Sequence, residues 1–122
     1  MLWLGAGLAA PQRRPAPPPP DDPEEEAAEP EYTFNPIQAR KEMKVGDFYF
    51  KKGRYAAAAN RYERATKWQP DLAEAYYKLG ESRERLQQKE AARTAFQKYV
   101  ELAPSDRRAG EARRKITRLQ TK

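Results

Sequence analysis

The sequence predicts an all-α solenoid: two helical hairpins and a C-terminal capping helix, behind an N-terminal region without a fold of its own. Three observations predict it. The chain overlays itself at an offset of 34 residues, pairing Val45 with Leu79, Gly46 with Gly80, Ala58 with Ala92, Tyr62 with Phe96 and Trp68 with Leu102. Inside each copy, apolar and small residues recur at 3–4 spacing, as on one helix face: Ala75, Leu79, Ser82 and Leu86, then Ala92, Ala95, Phe96, Tyr99 and Val100. A proline ends each copy (Pro70, Pro104), where a missing amide hydrogen and a crowded preceding residue stop a helix.

The elements follow in order. Residues 2–10, LWLGAGLAA, form an apolar run far shorter than the roughly 20 residues a membrane-spanning helix needs. Its length and its small residues Gly7, Ala9 and Ala10 suit the core and cleavage region of a signal peptide, although no basic residue precedes it. The expectation is a periplasmic or secreted protein, and otherwise a cytoplasmic one. Residues 11–34 are rich in proline and then in acid, and bury too little apolar surface to offset chain entropy. They read as a disordered, partly polyproline II linker, a stiff spacer more than a ligand for a proline-binding groove.

The folded domain is expected over residues 35–122, with repeats at 39–72 and 73–106 and a capping helix at 106–120. Helices are expected near 36–52, 55–68, 71–86, 89–102 and 106–120. Asn35 precedes Pro36, a proline at the favoured opening position of a helix. Asp71, with Glu74 three residues on, is expected to cap the third helix, and Ser105 the fifth. A small residue where two helices cross lets their backbones approach, and an aromatic fills the space beside it.

These positions resemble the tetratricopeptide repeat, whose unit has 34 residues. In the first copy the matching residues are Gly46, Tyr49, Ala58, Tyr62, Ala65 and Pro70, with Gly53 and Tyr55 at the turn between helices. In the second they are Tyr76, Leu79, Gly80, Ala92, Phe96 and Pro104. Arg83 and Tyr99 depart from the pattern, and are expected to loosen the second hairpin. The exported-looking start, spacer and repeats also resemble bacterial envelope assembly factors, including outer-membrane lipoproteins of that group, but the chain has no cysteine to accept a lipid.

The resemblance implies a protein or peptide partner held on a concave surface lined by the first helix of each hairpin. It points to Arg40, Met43, Lys44, Asp47, Phe50 and Lys51 from the first copy, and to Glu74, Tyr77, Lys78, Glu81, Glu84 and Arg85 from the second. Such a mixed strip suits an extended peptide or a helix. The family's clamp for chaperone C-terminal carboxylates is expected to be absent: Met43 and Asp47 stand where it needs Lys and Asn, and the second copy's first helix has no Asn.

Composition narrows the alternatives. Without cysteine or histidine the chain lacks disulfides, Cys-based zinc sites and the usual general base. With no nucleophile–base pair, phosphate loop or metal spacing, neither an enzyme, a cofactor nor a metal is expected. Net charge is −5 over residues 1–35 and +11 over 36–122. The bases Arg107, Arg108, Arg113, Arg114, Lys115, Arg118 and Lys122 gather at the C-terminus, where cations favour a helix dipole. They leave nucleic acid or an anionic membrane as the alternative reading, with nucleic acid disfavoured and membrane contact through this helix or the N-terminus. The acidic stretch could also mask the basic domain in cis. The sequence leaves the oligomeric state open.

Overall fold

A computed structural model describes residues 29–120, which contain five helices and no strand: α1 (Pro36–Lys51), α2 (Tyr55–Trp68), α3 (Ala73–Arg85), α4 (Lys89–Leu102) and α5 (Ala109–Gln120). The expected signal run at 2–10 and most of the expected linker lie outside the described residues. The linker's last residues, 29–34, run without regular structure against the first hairpin. Tyr32 meets Trp68 edge-on at 4.7 Å, and Lys67 lies over the Tyr32 ring while pairing with Glu29 at 3.5 Å.

Helices α1 with α2, and α3 with α4, form the two hairpins; α2 also packs on α3, and α4 on α5. The result is two layers, with α1, α3 and α5 in one and α2 and α4 in the other. The sequence pattern explains the crossings. A Cβ added to Gly46 would lie 2.6 Å from the Tyr62 ring, and one added to Gly80 2.8 Å from the Phe96 ring. The glycines are therefore what allows each aromatic to lie flat at its crossing, the same solution used twice, 34 residues apart. Ala58, Ala65 and Ala92 sit fully buried along the same seams, and Tyr49 and Leu79 join them.

The turns within the hairpins also repeat. Arg54 N–H bonds to the Tyr49 carbonyl and Gly53 N–H to that of Phe50; Gln88 to Arg83 and Gln87 to Glu84 follow the same pattern. This is a Schellman ending, which needs a left-handed residue one place past the cap. Gly53 supplies it at φ 79°, and Gln87, against its steric preference, at φ 62°.

Helix starts are less uniform. Asn35 caps α1 as expected, its side-chain oxygen accepting from Gln38 N–H at 3.0 Å. The expected caps at Asp71 and Ser105 both fall ahead of their helices, Asp71 one residue before the Leu72 cap and Ser105 four residues before α5 begins at Ala109. The chain enters α3 through Leu72, with no side-chain cap, because the turn after Pro70 closes from Leu72 N–H to the Gln69 carbonyl. The equivalent bond after Pro104 comes from Asp106, whose carboxyl is kept below the usual carboxylate range first by the nearby Tyr99 hydroxyl and then by the amides of Arg108 and Arg107. Helix α5 proper therefore begins at Ala109 and α3 at Ala73, each about one turn or less after the expected start.

Arg83 and Tyr99 do not loosen the second hairpin. Tyr99 is fully buried, edge-on to Tyr77 at 5.0 Å, in a cluster to which α5 brings the small side chains of Ala109 and Ala112 together with Leu119. Its hydroxyl approaches Asp106 without well-formed hydrogen-bond geometry. Arg83 pairs with Glu63 of α2 at 3.4 Å and so ties the second hairpin to the first.

Candidate partner-binding surface

The face formed by α1, α3 and α5 carries the candidate groove residues, and its two ends differ in chemistry. At the α1 end lies an open cleft of about 310 Å³, lined by Pro36, Arg40, Met43, Lys44, Asp47, Gln69, Leu72 and Glu74. Five of these are residues the repeat register marks: Arg40, Met43, Lys44, Asp47 and Glu74. Successive turns of α1 place Arg40, Met43, Lys44 and Asp47 on one side, while Pro70 ends α2 so that Gln69 and Leu72 form the opposite wall. Met43 and Leu72 give the cleft apolar surface. Arg40 and Lys44 are exposed and have no ion pair among the described residues.

Asp47 is already engaged. The Tyr62 hydroxyl donates to its Oδ1 at 2.6 Å, and Lys78 Nζ lies 3.9 Å from the same oxygen. Burial, and then this carboxylate, push the Tyr62 phenol far above its ordinary range. Asp47 is thus a joint between α1, α2 and α3, and gives the cleft less free negative charge than its formal one.

Midway, the face is tied together by its own side chains. Phe50 is half-buried, edge-on to Tyr55 at 5.1 Å, with Lys78 and Arg85 over its ring. Arg85 donates to the Tyr55 hydroxyl at 2.6 Å. Lys51 stands exposed at the end of α1.

Toward α5 the face closes. Tyr77 is only 3% exposed: it packs edge-on against Phe96 and Tyr99, and the Arg108 guanidinium lies 4.4 Å above its ring. The structure therefore places Tyr77 in the core, where a ligand would meet Arg108 first. Burial pushes its phenol up to about 12, helped by Glu81 and Glu111. Glu84 accepts from both Lys115 (3.2 Å) and Arg118 of α5. Glu81 is partly buried, and desolvation raises its pKa even though Lys78, Lys115 and Arg108 are near.

Helix α5 occupies the place of a third first-helix: its Lys115 and Arg118, with Arg108 from the turn before it, extend the α1–α3 face, where Glu84 and Tyr77 engage these cations. Arg113 turns away and donates to the Pro104 carbonyl.

Sequence reasoning missed one cluster. Glu42, 2% exposed, accepts from Arg61 at 3.0 Å and lies 3.4 Å from Arg64, so the first hairpin holds a buried carboxylate between two arginines of α2. The available signal was register: Glu42 stands where the second copy has Tyr76, at a position the family fills with a large side chain. No group of three or more potential metal ligands occurs among the described residues, and no described helix is long and apolar enough to cross a membrane.

Two family models agree with this architecture. A family model described as a TPR repeat matches residues 46–87, and one described as a tetratricopeptide repeat matches 74–106; together they span half of the chain. No curated protein matches it. Among solved structures, the chain is similar to the first TPR of Spaghetti (RPAP3) bound to the HSP90 peptide SRMEEVD, with 20% identity, a TM-score of 0.36, and coverage of 72% of this chain and 98% of that one. The repeated Gly46–Tyr62 and Gly80–Phe96 crossings and the two family matches agree: the chain belongs to the tetratricopeptide repeat family, a protein-interaction module.

Proposed function

We propose that the protein holds a partner's peptide segment on its α1–α3–α5 face, with the α1 end of that face making the selective contacts. The observation that carries this reading is the contrast in cation use. Lys115 and Arg118 are engaged by Glu84, and Lys78 and Arg85 lie over Phe50, whereas Arg40 and Lys44 flank an apolar cleft with no ion pair among the described residues. A ligand pairing with Arg40 and Lys44 breaks no ion pair among the described residues; one pairing with Lys115 must first break its ion pair with Glu84. The favoured segment carries an apolar side chain for the Met43–Leu72 walls and a carboxylate beside it. An extended peptide suits the cleft's size better than a whole helix.

The test is a peptide-display selection against the full chain, followed by affinity measurements on the recovered sequences. Enrichment of an apolar–acidic pair, with binding weakened about tenfold or more by Arg40→Ala with Lys44→Ala and little changed by Lys115→Ala, is the expected result. Recovered peptides that bind the Arg40/Lys44 variant as well as the parent would sink the proposal.

A further inference from the structure

The N-terminal edge of the solenoid is uncovered in a way its C-terminal edge is not. In α3, the row Ala75, Leu79, Ser82 and Leu86 is the one turned toward the first hairpin: Ala75 packs with Ala39 and Ala65, and Leu79 with Tyr49, Ala58, Ala59 and Tyr62. Shifted back by one repeat, that row is Lys41, Val45, Phe48 and Lys52 of α1, and one turn earlier on the same side lies Ile37. Among the described residues, Val45 at the middle of this row is partly buried against the first hairpin's core, while Ile37, Lys41, Phe48 and Lys52 are left exposed. Ile37 is 66% exposed and Phe48 42%, with Phe34 (65%) beside them where the chain enters the helix. Terminal units of a repeat array usually carry a polar outer face, and α5 satisfies this with exposed Arg114 and Thr117; α1 does not.

We propose that a second copy of this chain covers the α1 row, the two α1 helices packing antiparallel about a two-fold axis near Val45. The row is self-complementary in that arrangement. Reversing it sets Val45 against the other copy's Val45, Lys41 against the other copy's Phe48, and Ile37 against the aliphatic stem of the other copy's Lys52. No lysine faces a lysine. The ammonium-over-ring contact this creates is one the face already makes within a copy, where Lys52 Nζ lies 5.3 Å from the centroid of Phe48. A two-fold pairing needs this kind of self-complementary patch. The pairing leaves the Arg40–Lys44 cleft on a different side of α1, so it stands independently of the peptide-binding reading.

The experiment is sedimentation equilibrium of the full chain up to about 1 mM, the weakest range expected of so small a patch. A monomer–dimer equilibrium is expected. It tightens with added salt, because the two copies carry like net charge and the contacts themselves are apolar and cation–aromatic. Phe48→Glu and Ile37→Glu each weaken it at least about tenfold, while Leu102→Glu, an exposed position on α4, leaves it unchanged. Both α1 positions are exposed, and an unchanged far-ultraviolet circular dichroism spectrum confirms that the variants fold. A chain that stays monomeric throughout overturns the proposal. So does a dimer indifferent to both α1 substitutions. With Trp68→Phe in the background so that Trp3 alone emits, a monomer whose emission shifts on Phe48→Glu also overturns it, and assigns the row to the chain's own apolar residues 2–10.

Discussion

The two hairpins share one backbone and fill it differently. Both cross at a glycine under an aromatic ring, and both turn through a Schellman ending. Between the helices, however, the first hairpin holds Glu42, Arg61 and Ala65 where the second holds Tyr76, Ala95 and Tyr99. The first is closed by a buried ionic cluster, and the second by aromatic rings packed edge-on. The difference follows from what lies next to each. The second hairpin is followed by α5, whose Ala109 and Ala112 leave room for Tyr99, and Arg108 in the turn before α5 covers Tyr77. The first begins the array, and Arg61 and Arg64 bring the polar outer side of α2 inward to Glu42. The same contrast runs through the candidate face, where Arg40 and Lys44 at the α1 end have no ion pair among the described residues and Lys115 and Arg118 at the α5 end are engaged by Glu84.

Exchanging the fillings tests this comparison most severely. Tyr99→Ala gives the second hairpin the first one's small residue, but no ionic cluster compensates. It should cost about 3–5 kcal/mol, the usual loss for a large buried aromatic, and free α5 before the rest unfolds. Thermal unfolding with hydrogen exchange at α5 reads both effects. In the first hairpin, Glu42→Gln leaves Arg61 buried without its carboxylate and should cost roughly 3 kcal/mol in urea unfolding. A Glu42→Leu, Arg61→Leu double variant should recover most of that, because apolar pairs replace buried ion pairs at little cost. A double variant no better than the single one would mean that the cluster is held by more than its charges.

Where the hairpins agree, substitutions should have matched effects. Gly46→Ala and Gly80→Ala should each destabilise by about 1–3 kcal/mol, because the new methyl meets an aromatic ring that has no room to retreat. The turns should respond in opposite senses: Gln87→Gly should stabilise by about 1 kcal/mol, since it relieves a left-handed residue, and Gly53→Ala should destabilise by a similar amount. Equal signs at the two turns would break the equivalence.

Much of the scaffold was legible in the sequence because it rests on local chemistry. The 34-residue offset located Gly46, Tyr62, Gly80 and Phe96, whose roles need only two neighbouring helices. The caps were placed too early because Asp71 and Ser105 are good capping residues that lie ahead of where the turn after each proline delivers the chain into its helix. Tyr77 looked like a groove residue because its register position faces the open side; that Arg108 lies over it depends on the path of residues 103–108, which no periodicity encodes. The Glu42 cluster needed three side chains brought together across a hairpin, and Arg61 and Arg64 read in the sequence as ordinary surface cations.

The smallest expected effects are those of pH. Burial raises the Glu81 pKa in the fold, so the folded state binds that proton more tightly than the unfolded chain does. The stability this contributes is complete below the unfolded value near 4.5 and is lost as pH rises through the folded pKa. Glu81→Gln should therefore raise the melting temperature at pH 7 and have little effect near pH 4. Asp106 is depressed, and its contribution is present above the unfolded 3.8 and lost as pH falls through the folded pKa. Asp106→Asn should lower the melting temperature at pH 7 and not near pH 2.

The central claim is that the two ends of the α1–α3–α5 face differ in availability. Its most direct test is to map amide and side-chain shifts by NMR as a display-selected peptide is titrated into the full chain. Changes concentrated at Arg40, Met43, Lys44 and Leu72, with Lys115 and Arg118 still tied to Glu84, are the predicted result. Changes centred on α5, with the α1 cleft unmoved, would contradict it.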